Sequence, residues 1–98
     1  MAVKVIITRR VKEAALVDAA LVLAQLRGQA TTQAGYITGE TLVGLDDPHK
    51  LVVISTWETL EDWLRWKDHA TRLIVEGNLE TYLQGPAIYE AFRQGVRP

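Results

Sequence analysis

Leu51-Val52-Val53-Ile54-Ser55-Thr56-Trp57 is the stretch that decides the fold of this chain. It is short and rich in β-branched residues, the composition of a strand. Alternation sets Leu51, Val53, Ser55 and Trp57 on one side and Val52, Ile54 and Thr56 on the other. Both sides are largely apolar, so both need cover, and one layer of helices covers only one of them.

Working outward, Tyr36 to Val43 is a second strand, joined to the first by Leu45-Asp46-Asp47-Pro48-His49-Lys50. Asp-Pro among polar residues is a turn signal, so the two strands form a hairpin. Upstream, Lys12 to Gln33 turns to Ala and Leu at helical spacing. Leu16, Ala20, Leu23 and Ala30 make one stripe, flanked by Ala19, Val22 and Leu26, and the helix is expected to stop at Gly35. Gly28 lies inside this pattern at a cost of about 1 kcal/mol relative to Ala. Val3 to Thr8 is the first strand.

Downstream, Thr59 stands three residues before Asp62, an acidic variant of the capping box that opens a second helix. Glu61 with Arg65 and Asp68 with Arg72 are spaced four apart, acid first, as pairs on its solvent side. Asn78 is read as the cap of a short helical piece ending near Leu83, closed by Gly85-Pro86. Ala87 to Phe92 is the last strand. The order is β-α-β-β-α-β, the split βαβ pattern of a ferredoxin-like α+β domain with a four-stranded antiparallel sheet. Gly39, in mid-strand, marks a bulge or a close backbone approach.

Ninety-eight residues fit one domain spanning 1–98. The formal charge of −1, with Lys and Arg scattered among Asp and Glu, argues against a nucleic-acid partner. No cysteine is present, which removes thiolate nucleophiles and thiolate metal sites. The N-terminus lacks signal-peptide character and no apolar run approaches a membrane span, so a cytoplasmic protein is expected. The two histidines, His49 and His69, are not at helical ligand spacing, and no metal is expected. No Gly-rich dinucleotide loop follows a strand, and no cofactor is expected.

Four passages together resemble the antibiotic-biosynthesis-monooxygenase family. They are Gly35-Tyr36-Ile37-Thr38-Gly39-Glu40-Thr41-Leu42, Trp57-Glu58, Glu61-Asp62-Trp63-Leu64-Arg65-Trp66 leading to Thr71-Arg72, and Gly85-Pro86-Ala87-Ile88-Tyr89-Glu90. The resemblance implies a homodimer in which two sheets pack face to face as a dimeric α+β barrel. That would cover the side of the sheet its own helices leave bare. It also implies cofactor-independent monooxygenation of an electron-rich phenol or quinol. In the haem-degrading relatives a functional tryptophan stands at the place of Trp66. Their asparagine and haem-ligating histidine fall, without gaps, on Arg9 and Glu76. Neither replacement keeps the role, so haem degradation is disfavoured.

A helical wheel groups Leu60, Trp63, Trp66, Ala70, Leu73 and Ile74 on one face and Glu61, Arg65, Asp68 and Arg72 opposite. Two rigid indoles on one face suit the wall of a pocket for a small aromatic ligand, and equally suit plain core. His69, beside that stripe, is a candidate base next to Trp66, or else an exposed histidine at a kink. Tyr36, Tyr82 and Tyr89 are candidate phenol donors toward the ligand, or ordinary core tyrosines. The competing functions are a non-catalytic ligand-binding or stress-associated homodimer, and a non-oxidative isomerase or cyclase.

Overall fold

The computed structural model describes residues 2–95. Seven elements follow one another: β1 (Val3–Arg10), α1 (Leu16–Ala30), β2 (Tyr36–Val43), β3 (Lys50–Trp57), α2 (Leu60–Lys67), α3 (Ala70–Glu80) and β4 (Ile88–Arg93). The sheet is antiparallel in the order β2-β3-β1-β4, the ferredoxin-like arrangement. Registration of Val3 with Trp57, Val5 with Ser55 and Ile7 with Val53 puts these side chains on one face. Leu26 and Ala30 of α1, Trp63 and Trp66 of α2 and Val75 of α3 close over that face as one core. A second apolar cluster, Val11, Ala19, Leu23, Leu51, Leu79 and Leu83, lies where α1 and α3 run across the other end of the strands. No helix among the described residues is long and apolar enough to cross a membrane.

The opposite face carries Ile6, Val52 and Ile54, half-buried in the middle, with Leu42, Ile88 and Phe92 exposed around them. It is the bare apolar side expected from β3.

Three boundaries differ from the sequence reading. Helix α1 begins at Leu16 and not at Lys12, because the chain keeps sheet-like pairing beyond β1. Val11 bridges Leu83, the Lys12 amide donates to the Tyr82 carbonyl, and a turn through Ala14 at φ 68° follows. At its other end, Thr31 to Gln33 close a turn by bonding back to the last carbonyls of α1. Gly35 then adopts φ 85°, open mainly to glycine. Asn78 lies inside α3 and caps nothing, since the helix runs unbroken from Ala70 to Glu80.

The third difference has the largest consequence. The expected second helix is two helices, broken at Asp68–His69, where His69 is extended at ψ 136°. Its imidazole Nδ1 accepts the Thr71 amide at 3.1 Å, capping α3. The break resets the helical phase. Trp63 and Trp66 stay buried, but Leu73 and Ile74 after the break are exposed, while Arg72, Val75, Glu76 and Leu79 turn inward; Leu60, ahead of the break, is exposed at the first turn of α2. The continuous wheel therefore misplaced Arg72, which pairs with Glu76 in the interior and not with Asp68 at the surface. Likewise Arg65 bonds Asp62 at 3.0 Å, and not Glu61.

Candidate functional site: an aromatic cavity with buried arginines

Between the sheet and the helices lies a cavity of about 50 Å³. All three tryptophans of the chain, Trp57, Trp63 and Trp66, line it together with Tyr36. Its volume admits a few waters or the edge of a ring, well below the roughly 300–1,000 Å³ of pockets that enclose drug-sized ligands. Of the lining residues, Arg27 on α1 and Glu40 and Thr41 on β2 are exposed, so the mouth opens between that helix and the edge strand.

Each aromatic is fixed by its own local geometry. Trp57 ends β3, is 1 % exposed, and donates its indole N–H to Ser55 Oγ at 3.0 Å. The Tyr36 ring meets Trp57 edge-on with centroids 5.4 Å apart. The strand register shifts between Tyr36 and Thr38, and a Cβ on Gly39 would lie 2.5 Å from the Tyr36 hydroxyl. Gly39 is thus a close-approach glycine beside a bulge, making room for Tyr36. Thr59 caps α2 by accepting the Asp62 amide at 3.1 Å, which sets the phase that sends Trp63 and Trp66 inward.

The polar part of the site is a buried cluster. Arg9 is 1 % exposed, Arg72 3 % and Glu76 9 %. Arg9 Nη2 donates to Glu76 Oε1, and Arg72 Nη2 donates to the same oxygen at 3.0 Å. Arg72 also donates to the Tyr89 hydroxyl at 2.8 Å and to the Lys67 carbonyl at 3.0 Å. Its guanidinium lies 5.4 Å from the Trp63 ring centroid and 5.5 Å from that of Tyr89. Arg9 and Arg72 line the cavity, whereas Glu76 and Tyr89 line a separate open groove with Glu80 and Pro86. The cluster therefore forms the partition between the inner cavity and that groove.

Of the candidate residues, Trp63, Trp66 and Tyr36 come together around the cavity. Tyr89 stands behind it, its ring 6.3 Å from Trp63 and its hydroxyl on Arg72. Tyr82 does not join them: it packs against the second apolar cluster, in the turn after α3. His69 lies beside Trp66, with ring centroids 5.5 Å apart, and does not line the cavity. Its Nδ1 is engaged by the helix cap, where it accepts the Thr71 amide.

Sequence reasoning missed the arginines as site residues, although a signal was present. Val3, Val5, Ile7 and Arg9 alternate in one strand, so Arg9 falls in phase with the inward positions. Among the described residues, no group of three or more His, Cys, Asp or Glu side chains could hold a metal ion.

Solved structures sharing this architecture span nearly the whole chain. A conserved protein from Methanosarcina mazei superposes with a TM-score of 0.91 at 15% identity, covering 97% of this chain and 94% of its own. An antibiotic biosynthesis monooxygenase, so described, from Nitrosomonas europaea gives 0.87 at 18%, covering 93% and 88%. SnoaB from Streptomyces nogalater, a cofactor-independent oxygenase, gives 0.87 at 17%, covering 98% and 95%. At such identities the likeness establishes the fold alone. Among curated proteins, none matches this chain. The family model for antibiotic biosynthesis monooxygenase does match, over residues 2–73, from β1 through both cavity tryptophans of α2 to the start of α3, and by that match the chain belongs to the antibiotic biosynthesis monooxygenase family.

Proposed function

We propose that this protein is a cofactor-independent monooxygenase of an aromatic phenol- or quinol-type small molecule, working as a homodimer. The observation that carries the reading is the cavity walled by Trp57, Trp63, Trp66 and Tyr36 with guanidinium groups on its inner side. Flat indole and phenol faces favour a flat, electron-rich ring, and the cations favour its ionised form. Such an anion can itself reduce dioxygen. In the keto tautomer of such a phenol, as in an anthrone, the reacting carbon is a methylene: one oxygen atom becomes its carbonyl, and the other leaves with the two methylene hydrogens as water. No external reductant is then needed. Trp63, Trp66 and Tyr36 would hold the edge of the ring, and Tyr89 would orient Arg72 from behind.

The bare sheet face supports the dimer. Covering an exposed Ile, Leu or Phe side chain contributes about 1.5–3 kcal/mol. Leu42, Ile88 and Phe92 surround a half-buried centre on that face. A two-fold partner presenting the same face is the simplest cover, closing the dimeric α+β barrel. Haem degradation is not proposed: Glu76 brings no imidazole and is held by two guanidiniums.

Oxygen uptake with a panel of anthrone- and quinol-type compounds in metal-free buffer tests the activity. Turnover that falls at least tenfold in Trp66→Phe supports it. Ring binding, seen as tryptophan quenching, without oxygen uptake from any substrate would favour a non-catalytic binding dimer.

A further inference from the structure

We infer that the outer edge of β2 is an interface between two copies of this chain, with Leu45 of each copy seated in the groove between α1 and β2 of the other. β2 is an edge strand, bonded to β3 on one side only. The Gly44 amide donates to the Lys50 carbonyl at 2.9 Å, so by the alternation of an antiparallel ladder Leu42 and Glu40 also bond toward β3. The amides and carbonyls of Thr41 and Val43 then point away from the sheet, with no strand of the same copy to receive them. Soluble proteins blunt such edges with Lys, Pro or a bulge. Neither Lys nor Pro occurs from Tyr36 to Val43, and the register shift lies at the far end, between Tyr36 and Thr38. The half of the edge that leads to Leu45 is unprotected.

The side chains fit the same partner. Leu45, at the tip of the β2–β3 hairpin, is 100 % exposed, and Val43 before it is exposed as well. Beside the edge runs an open groove of about 520 Å³, with Ala20, Leu23 and Ala24 of α1 on one side and Thr41 and Val43 on the other. Its lining carries one charge, Arg27. Among the described residues Arg27 forms no ion pair, and neither does Asp46, the exposed neighbour of Leu45. Antiparallel pairing of β2 with β2 of a second copy about Val43 sets Leu45 opposite Thr41 of that copy, at its groove, and brings Asp46 to the side of its Arg27. A two-fold axis perpendicular to the sheet keeps the helices of both copies on one side and makes each contact twice. Main-chain bonds along the edge supply affinity, and the leucine and the charge pair supply register. A second copy is the occupant because one edge presents the apolar knob, the groove and both signs of charge.

This contact uses the strand edge and not the bare sheet face, so it adds to the face-to-face dimer, and a protein using both assembles to four copies. Sedimentation equilibrium of the full chain tests it. Leu45→Asp should weaken edge association at least about tenfold and leave two copies. Arg27→Glu should do the same, and Arg27→Glu combined with Asp46→Arg should restore the assembly. A copy number that Leu45→Asp leaves unchanged, or a charge exchange that restores nothing, would overturn the inference and leave the groove to a small apolar ligand or a foreign strand. Leu45 is wholly exposed, so its replacement does not endanger folding. Phe92→Asp, on the bare face, separates the two interfaces. Pairs split by Phe92→Asp and not by Leu45→Asp keep the face-to-face dimer and remove the edge contact. Pairs split by Leu45→Asp alone do the reverse.

Discussion

Arg9 and Glu76, 67 positions apart in the chain, are bonded to each other in the interior, and Arg72 binds the same carboxylate oxygen one helical turn away. The carboxylate is therefore the only counter-charge two buried guanidiniums share within the cluster. Glu76→Gln should destabilise the protein by about 3–5 kcal/mol, because it leaves both cations uncompensated. Arg9→Met should cost roughly half of that or less, since one pair survives. Chemical denaturation of the two variants checks the order; an equal loss would mean the charges are not coupled as described.

Tyr89 holds Arg72 against the site from β4. Its side chain is partly exposed, at 38 % for the residue, so water compensates some of the loss in Tyr89→Phe. The expected cost is about 1 kcal/mol, below the roughly 1.5–3 kcal/mol of a fully buried hydrogen bond to a charged group. Under the proposed function the same variant should lower oxygen uptake by loosening Arg72.

Gly39→Ala should push the Tyr36 ring away from the cavity, since the new methyl would lie 2.5 Å from its hydroxyl. Overpacking of this kind costs about 1–3 kcal/mol. Removing the hydroxyl in the double variant Tyr36→Phe with Gly39→Ala should recover part of it. A double-mutant cycle with no coupling between the two positions would contradict the contact.

His69→Ala should weaken the start of α3 by about 1 kcal/mol through loss of the cap on the Thr71 amide. His69→Asn or His69→Asp should restore most of this. Oxygen uptake with the anthrone and quinol panel should be unchanged in the Asn variant. A large fall in turnover there, with stability restored, would return His69 to the chemistry.

Acid should loosen the start of α2. The Thr59 hydroxyl, and after it the Arg65 guanidinium, hold the Asp62 carboxyl below the usual carboxylate range. A folded-state value lowered in this way gives stability that is complete above about pH 4 and is lost as pH falls through the lowered value. Asp47, lowered chiefly by its bond to Arg10, acts in the same direction at the hairpin turn. Unfolding curves between neutral pH and strong acid should show a shallower dependence in Asp62→Asn than in the parent.

The order of strands and helices, the hairpin, the Thr59 cap and the two-sided apolar character of β3 could all be read from residue order. Each depends on neighbours a few positions apart, where periodicity and turn chemistry act locally. Trp63 and Trp66 as inward residues were legible for the same reason.

The helix break at His69 was legible only as one alternative, a kink, and of the buried charge cluster only the inward phase of Arg9 in β1 could be read from residue order. A single extended residue rotates everything after it on the helical wheel, so Arg72 and Glu76 exchange solvent for core without any change in composition. Whether a charged side chain is tolerated inside depends on a counter-charge arriving from elsewhere in the chain. Here β1 supplies Arg9 and α3 supplies Glu76. Residue order alone determined the scaffold; only the assembled tertiary structure decided which charges it encloses, because compensation of a buried charge is a property of space and not of sequence distance.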